Sequence, residues 1–305
     1  MAAPGARLGI YDAIAANRWR TVALIGAFTA IVSALAYVTG EYFAPGGGIA
    51  LLPIGLGVSA VSAATSYLAG DKLVLAQSRA RAVGPGEEPQ LRNIVETLAI
   101  GLGIQAPRLY VIEDSAPNAF ATGRDVAHAS IAVTRGLLDK LDRQEQEGVL
   151  AHEMSHVVNR DIRVMVLVTV LVGTVALISD VMLRSLRYGG RSRGGRNSGG
   201  AVIFAIALVF AILTPFIATL IRLAVSRQRE YLADASGALL TRYPAGLASA
   251  LAKIAADREP LEVANKATAA LYIADPLKDR PEFMDSLFNT HPPVADRIAR
   301  LEAMG

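Results

Sequence analysis

Four stretches of the chain carry no formal charge: Thr21 to Gly40, Tyr42 to Gly70, Val164 to Ser179 and Ala201 to Ile221. At 1.5 Å of rise per helical residue, about 20 apolar residues cross a hydrocarbon core of about 30 Å. The first two runs therefore predict membrane spans near 21–40 and 47–69, with Pro45 and the glycines 46–48 at the turn. A cleaved signal peptide is the rival for the first run, with small residues at Ser33 and Ala34 before Leu35 and Ala36. The run is long for that, and a second follows at once, so an uncleaved span is preferred. Pro53, Gly55 and Gly57 allow a kink in the second helix, and Ser59, Ala60, Ala63 and Ala64 suit close helix packing. A third span is expected over Ile162–Leu183 and a fourth over Ala201–Ile221, tolerating Pro215.

The segment between the second and third runs has a different texture. Leu91, Ile94, Val95, Leu98 and Leu102 recur at helical spacing and are closed by Gly101 and Gly103. Arg108 to Ile112 alternates like a strand after Pro107. Pro117 to Gly123 and Ala129 to Thr134 flank a polar turn with Arg124 and Asp125, which reads as a β-hairpin. The fold class expected is a mostly α membrane protein with a small β-hairpin or sheet. Four parts follow: a membrane hairpin at 1–70, a first catalytic segment at 71–161, a second hairpin at 162–223, and a second catalytic segment at 224–305.

Composition agrees with the pattern. Of 305 residues, 52% are hydrophobic, and the mean hydropathy of +0.38 is high for a soluble globule. The net charge of +3 sits beside the apolar runs, which favours membrane-edge arginines over a nucleic-acid surface. Arg18 and Arg20 precede the first span and Lys72, Arg79 and Arg81 follow the second, while the intervening loop has only Glu41. The positive-inside rule then puts the N-terminus and everything after Gly70 in the cytoplasm, in a cell-membrane protein. One signal conflicts: the five-arginine loop 184–200, read as a flexible linker, falls on the outer side. Cysteine is absent, so any metal must be held by His, Asp or Glu.

The chemistry centres on His152-Glu153-Met154-Ser155-His156. Residues four apart share a helix face, so both imidazoles reach one metal ion, and Glu153 stands close enough to take a proton from a metal-bound water. Leu150, Met154, Val157 and Val158 form an apolar stripe on the opposite side, Gly148 leaves room beside the metal face, and Asp142 with Glu145 forms a capping box. Only four histidines occur in the chain, which makes this spacing improbable as an accident. His128 reads as a surface residue.

A third ligand is found after the fourth apolar run. Glu230 and Asp234 lie one helical turn apart; Glu230 completes the ligand set, and Asp234 accepts from the free ring N–H of one ligand histidine. Gly237 and Ala238 keep that face slim. His156 precedes Ile162 by six residues and Glu230 follows Leu223 by seven, so both sit about 10 Å from the same membrane face.

Taken together, these residues resemble the HtpX-type membrane zinc metalloproteases, bacterial relatives of the CAAX prenyl endopeptidases. The resemblance rests on Asn118-Ala119-Phe120-Ala121-Thr122-Gly123, on the histidine motif, on Ser226-Arg227-Gln228-Arg229-Glu230-Tyr231-Leu232-Ala233-Asp234, and on Thr290-His291-Pro292-Pro293 with Arg297-Ile298. It covers nearly the whole chain. It implies a gluzincin-like endopeptidase holding one Zn²⁺ per subunit through His152, His156 and Glu230, with Glu153 as the catalytic acid and base. It implies protein substrates at the bilayer, in quality control and stress response. It also raises His291 and Arg297 as supports for the site or an oxyanion. Asn118, Ala119 and Phe120 would offer an edge strand to an extended peptide. Two other readings remain: prenyl-protein processing by the same chemistry, and a non-catalytic zinc-stabilised membrane scaffold. Oligomeric state is left open.

Overall fold

The computed structural model describes residues 10–43, 45–189, 227–265, 267–278 and 292–305. The fourth apolar run, most of the arginine-rich loop and His291 lie outside the described residues. Helix α1 (Ile10–Phe43) and helix α2 (Gly47–Gln77) form an antiparallel pair. Both hold segments long and apolar enough to cross a membrane. Glu41, the lone charge of the connection, caps α2 by accepting from the N–H groups of Gly46 at 3.1 Å and Gly48 at 3.2 Å. Gly46 occupies the left-handed region at φ 82°, which the tight reversal requires.

α2 runs through Pro53 without a break and continues eight residues past the expected end of the span. Its packing face differs in detail from the expected one. Gly55, Ser59, Ser62, Ser66 and Gly70 are buried, whereas Ala60 and Ala64 are exposed. These buried positions repeat three to four residues apart, the helical period, and their small size lets backbones approach. A Cβ on Gly70 would overlap Val166 of helix α6 (Asp161–Gly189).

A four-stranded sheet follows, with β1 (Arg81–Ala82), β2 (Arg108–Ile112), β3 (Ala119–Thr122) and β4 (Ser130–Thr134) in the order β1-β2-β4-β3. The expected hairpin is present: Ala119 faces Val133 and Thr122 faces Ser130 in an antiparallel pair. β2 runs parallel to β4, so β3 is left at an edge. Helices α3 (Pro89–Leu102), α4 (Arg135–Lys140) and α5 (Arg143–Val158) complete the first half of the domain. Helices α7 (Arg227–Thr241), α8 (Pro244–Ala256) and α9 (Val294–Glu302) complete the second.

α5 is the central element. Every residue from Gly148 to Val157 is buried, among them Val149, Leu150 and Met154 in the core shared with α3, the sheet and α8. The anticipated capping box is formed: Asp142 accepts from the N–H of Glu145 at 3.0 Å, and Glu145 accepts from the N–H of Asp142 at 2.8 Å. Gly148 faces α8 and not the metal side, because a Cβ there would stand 2.7 Å from the backbone N of Leu247.

Glu145 also joins α5 to α8, accepting from Ser249 at 2.6 Å and Lys253 at 2.7 Å. Burial pushes its pKa up, yet these bonds outweigh burial and hold the carboxyl below its usual range. Its stabilising contribution is therefore present above the ordinary carboxylate pKa and is lost as pH falls through the lowered one. Glu145→Gln is expected to lower unfolding stability at neutral pH by about 1–2 kcal/mol, measured by denaturation in detergent. The gap should close at acidic pH.

Candidate metal centre

Two helices meet at the site because one glycine lets them. A Cβ on Gly237 of α7 would lie 3.0 Å from the backbone N of His152, so α7 rests directly on α5. His152 and His156 then face Glu230, and all three side chains are buried. Their ring atoms converge: Nε2 of His152 and Nε2 of His156 are 3.2 Å apart. Glu230 places Oε2 3.8 Å from the first nitrogen and Oε1 3.6 Å from the second.

Each histidine is held from behind by a carboxylate. Nδ1 of His152 lies 2.9 Å from Oδ1 of Asp234, and Nδ1 of His156 lies 3.1 Å from Oδ2 of Asp161. Donation from Nδ1–H fixes the tautomer and turns both Nε2 lone pairs into the shared space. Asp234 follows the expected arrangement. Asp161 was not anticipated; α5 ends at Val158 with Asn159 as its cap, Arg160 takes a left-handed φ of 59°, and α6 starts at once with Asp161 folded back against His156. The only sequence signal was a polar Asn159-Arg160-Asp161 break between two apolar helices.

Arg297 is fully buried, reaching in from α9. It donates to both oxygens of Asp234, from Nε at 2.9 Å and Nη2 at 2.7 Å, and to the carbonyl of Ile273 at 2.9 Å. Beside the cluster, Glu153 is buried near the backbone N–H of Ala121 on the edge strand, which favours its charged form. Asn118, Ala119 and Phe120 are committed inward. The Asn118 carboxamide donates to the Ala274 carbonyl at 3.1 Å, the Ala119 carbonyl accepts from Ile273 at 3.0 Å, and Phe120 packs edge-on against Tyr272. His128 is exposed, donating its backbone N–H to Asp125.

Burial and neighbouring charges shift the titration of the cluster's side chains. Burial pushes Glu153 up to about 8, with Glu230 adding and His156 opposing. Burial also disfavours charge on His156, but Asp161 and Glu230 outweigh it and raise its pKa to about 9. His152 is lowered by burial despite Asp234. Asp234 falls to about 2, because Arg297 and His152 outweigh burial.

The donor set suits a divalent cation. Two imidazole nitrogens and a carboxylate oxygen, one from each of His152, His156 and Glu230, lie within 4.8 Å of one another. Ligand bonds of about 2.0–2.2 Å in a tetrahedron place ligand atoms about 3.3–3.6 Å apart, close to the spacing found here. His, His and Glu also make the three-ligand set that leaves one position open.

The comparisons agree in kind. The family model described as "Peptidase family M48" matches residues 85–305. The "Protease HtpX homolog" of Dictyoglomus thermophilum is 45% identical over 295 residues, covering 97% of this chain and 95% of the relative. That of Tropheryma whipplei is 44% identical, covering 97% and 99%. A crystal structure of S. mikatae Ste24p aligns with a TM-score of 0.49 at 20% identity, over 93% of this chain and 65% of that one. With a histidine pair and an acid positioned for metal, the family match and the curated relatives make the protein a metalloendopeptidase. The chain belongs to peptidase family M48.

Removing Arg297 strands a buried carboxylate beside His152. Arg297→Leu is expected to cost about 3–5 kcal/mol in a denaturation measurement. The double variant Arg297→Leu with Asp234→Asn should recover part of that loss, and strictly additive effects would show that the pair does not interact.

Proposed function

We propose that the protein is a zinc-dependent endopeptidase working at a membrane surface, cutting damaged or misfolded membrane proteins in quality control. The observation that carries this reading is the convergence of His152, His156 and Glu230 beside a buried Glu153 whose partner is an edge strand. In this reading the three converging side chains hold the ion, while Asp234 and Asp161 orient the two imidazoles. Zinc, when bound, supplies Lewis acidity that lowers the pKa of a water and polarises a carbonyl.

Glu153 does the proton work. A carboxyl raised by burial has a proton affinity close to neutrality, which suits a group that must accept a proton and return it. The nearby N–H of Ala121 favours the carboxylate form and, because Ala121 belongs to β3, the base stands beside the strand a substrate would line. With Asn118, Ala119 and Phe120 bonded inward, an extended peptide would pair along the edge beyond Ala119 and give up its scissile amide beside Glu153. Glu153 would take the water's proton and deliver it to the leaving amine. Arg297 acts through Asp234, at the back of His152. The four-part arrangement, with two membrane hairpins and a catalytic domain on the cytoplasmic side, is retained as part of this proposal.

Glu153→Gln should keep zinc while chelator-sensitive casein cleavage falls by about 10²–10⁴-fold. Cleavage by that variant at the wild-type rate would falsify the assignment. The metal itself should compete with a proton. With His156 raised to about 9, zinc must displace its proton at neutral pH, so apparent zinc affinity is expected to fall as pH falls, by up to about tenfold per unit. Competition against a chelator of known affinity across pH 6–9 measures this slope. In the same assay Asp161→Ala should weaken zinc by about 10–100-fold, while a variant with unchanged affinity would leave Asp161 without its orienting role.

A further inference from the structure

A cavity away from the metal cluster lies where α1, α2 and α6 meet the loop that follows β3. Its level in the membrane follows from helix lengths. Thr21 is 22 residues before the end of α1 and Asp71 is 24 residues after the start of α2, about 33–36 Å from the hairpin turn. A hydrocarbon core is about 30 Å thick, so the cavity sits at headgroup depth on the face that carries the peptidase domain.

The lining changes character with depth. Tyr67, Asp71, Arg124 and Arg163 make the polar rim. Ile25, four residues along α1 from Thr21, and Leu167, one turn along α6 from Arg163, lie deeper and are apolar. Asp71 is paired with Arg108 at 3.4 Å. Arg124 lies 3.6 Å from Asp125 and 2.8 Å from Nε2 of His128. The guanidinium of Arg163 instead stands over the Tyr67 ring, 5.0 Å from its centroid, and among the described residues it has no carboxylate in ion-pair range. Both side chains are exposed, and so is Trp19 near the same end of α1. An aromatic and a cation at the rim over an apolar floor match an amphiphile with an anionic head.

We propose that this cavity binds one anionic phospholipid, its phosphate on Arg163 and Arg124 and its glycerol and upper acyl segment against Ile25 and Leu167. The site also touches the catalytic region. Gly123 and Arg124 line it and directly follow β3, two and three residues from Ala121, whose N–H lies near Glu153. A headgroup seated there steadies the end of the edge strand. The inference rests on the chain's residing in a membrane and not on its peptidase reading.

Purified full-length protein is to be released from nanodiscs of mixed phosphatidylglycerol and phosphatidylcholine into native mass spectrometry. One phosphatidylglycerol per chain should be retained in preference to phosphatidylcholine. Its affinity is expected to drop about fivefold in Arg163→Gln and about 30-fold in Arg163→Glu. Arg163→Lys should hold the lipid, as should Lys72→Gln, which removes an exposed interfacial cation outside the cavity. Thermal midpoints near wild type identify the variants that are folded. Equal retention by wild type and folded Arg163→Glu overturns the proposal. So does displacement of the lipid by inorganic phosphate, which would mark a soluble-anion site, or by an acidic peptide, which would mark a substrate subsite.

Discussion

Everything in this fold is arranged around three electron-pair donors forced together in a dry space. Two imidazole nitrogens 3.2 Å apart, with a carboxylate facing both, repel one another unless a positive charge lies among them. Among the described residues, the buried charges around the histidines are Glu153, Asp161, Glu230 and Asp234 against Arg229 and Arg297. Fully ionised, these leave two negative charges unmatched in a medium where unpaired charge is costly. A divalent cation would close that balance.

The scaffold keeps this arrangement from relaxing. α5 is enclosed along its length, so its histidines cannot swing into solvent. Each rear nitrogen is bonded to an acid from a different helix, Asp161 on α6 and Asp234 on α7, and Asp234 is in turn clamped by Arg297 from α9. The C-terminal helix makes a second tie, with Arg300 over the ring of Tyr231 at 3.8 Å. Four helices are thus committed to two imidazoles. Helices α2 and α6 join the same body: Val74 and Leu75 of α2 and Met165 of α6 pack with Phe120 and Tyr272 beneath the edge strand.

Much of this was legible in the residue pattern where the signal was local. Uncharged runs marked the two long apolar helices, the Asp142–Glu145 spacing gave the cap, and four-residue spacing put His152 beside His156 and Glu230 beside Asp234. The hairpin was legible from two short runs on either side of a polar turn, although its register was not. What was missed depends on contacts between distant segments. Asp161 becomes a histidine partner only because Arg160 adopts a left-handed turn. Arg297 was raised only through the family resemblance, because its spacing on a short amphipathic helix does not show that it meets Asp234. The parallel pairing of β2 with β4, the burial of Gly55 and Gly70 in place of Ala60 and Ala64, and the turn of Gly148 toward α8 are likewise set by neighbours that sequence spacing does not reveal.

X-ray absorption at the zinc edge, on folded protein supplied with zinc, tests the central claim most directly. One zinc per chain with two imidazoles and oxygen ligands in its inner sphere, losing an oxygen donor in Glu230→Ala, is the predicted result. Metal-replete, folded protein whose rings at positions 152 and 156 coordinate nothing would contradict it.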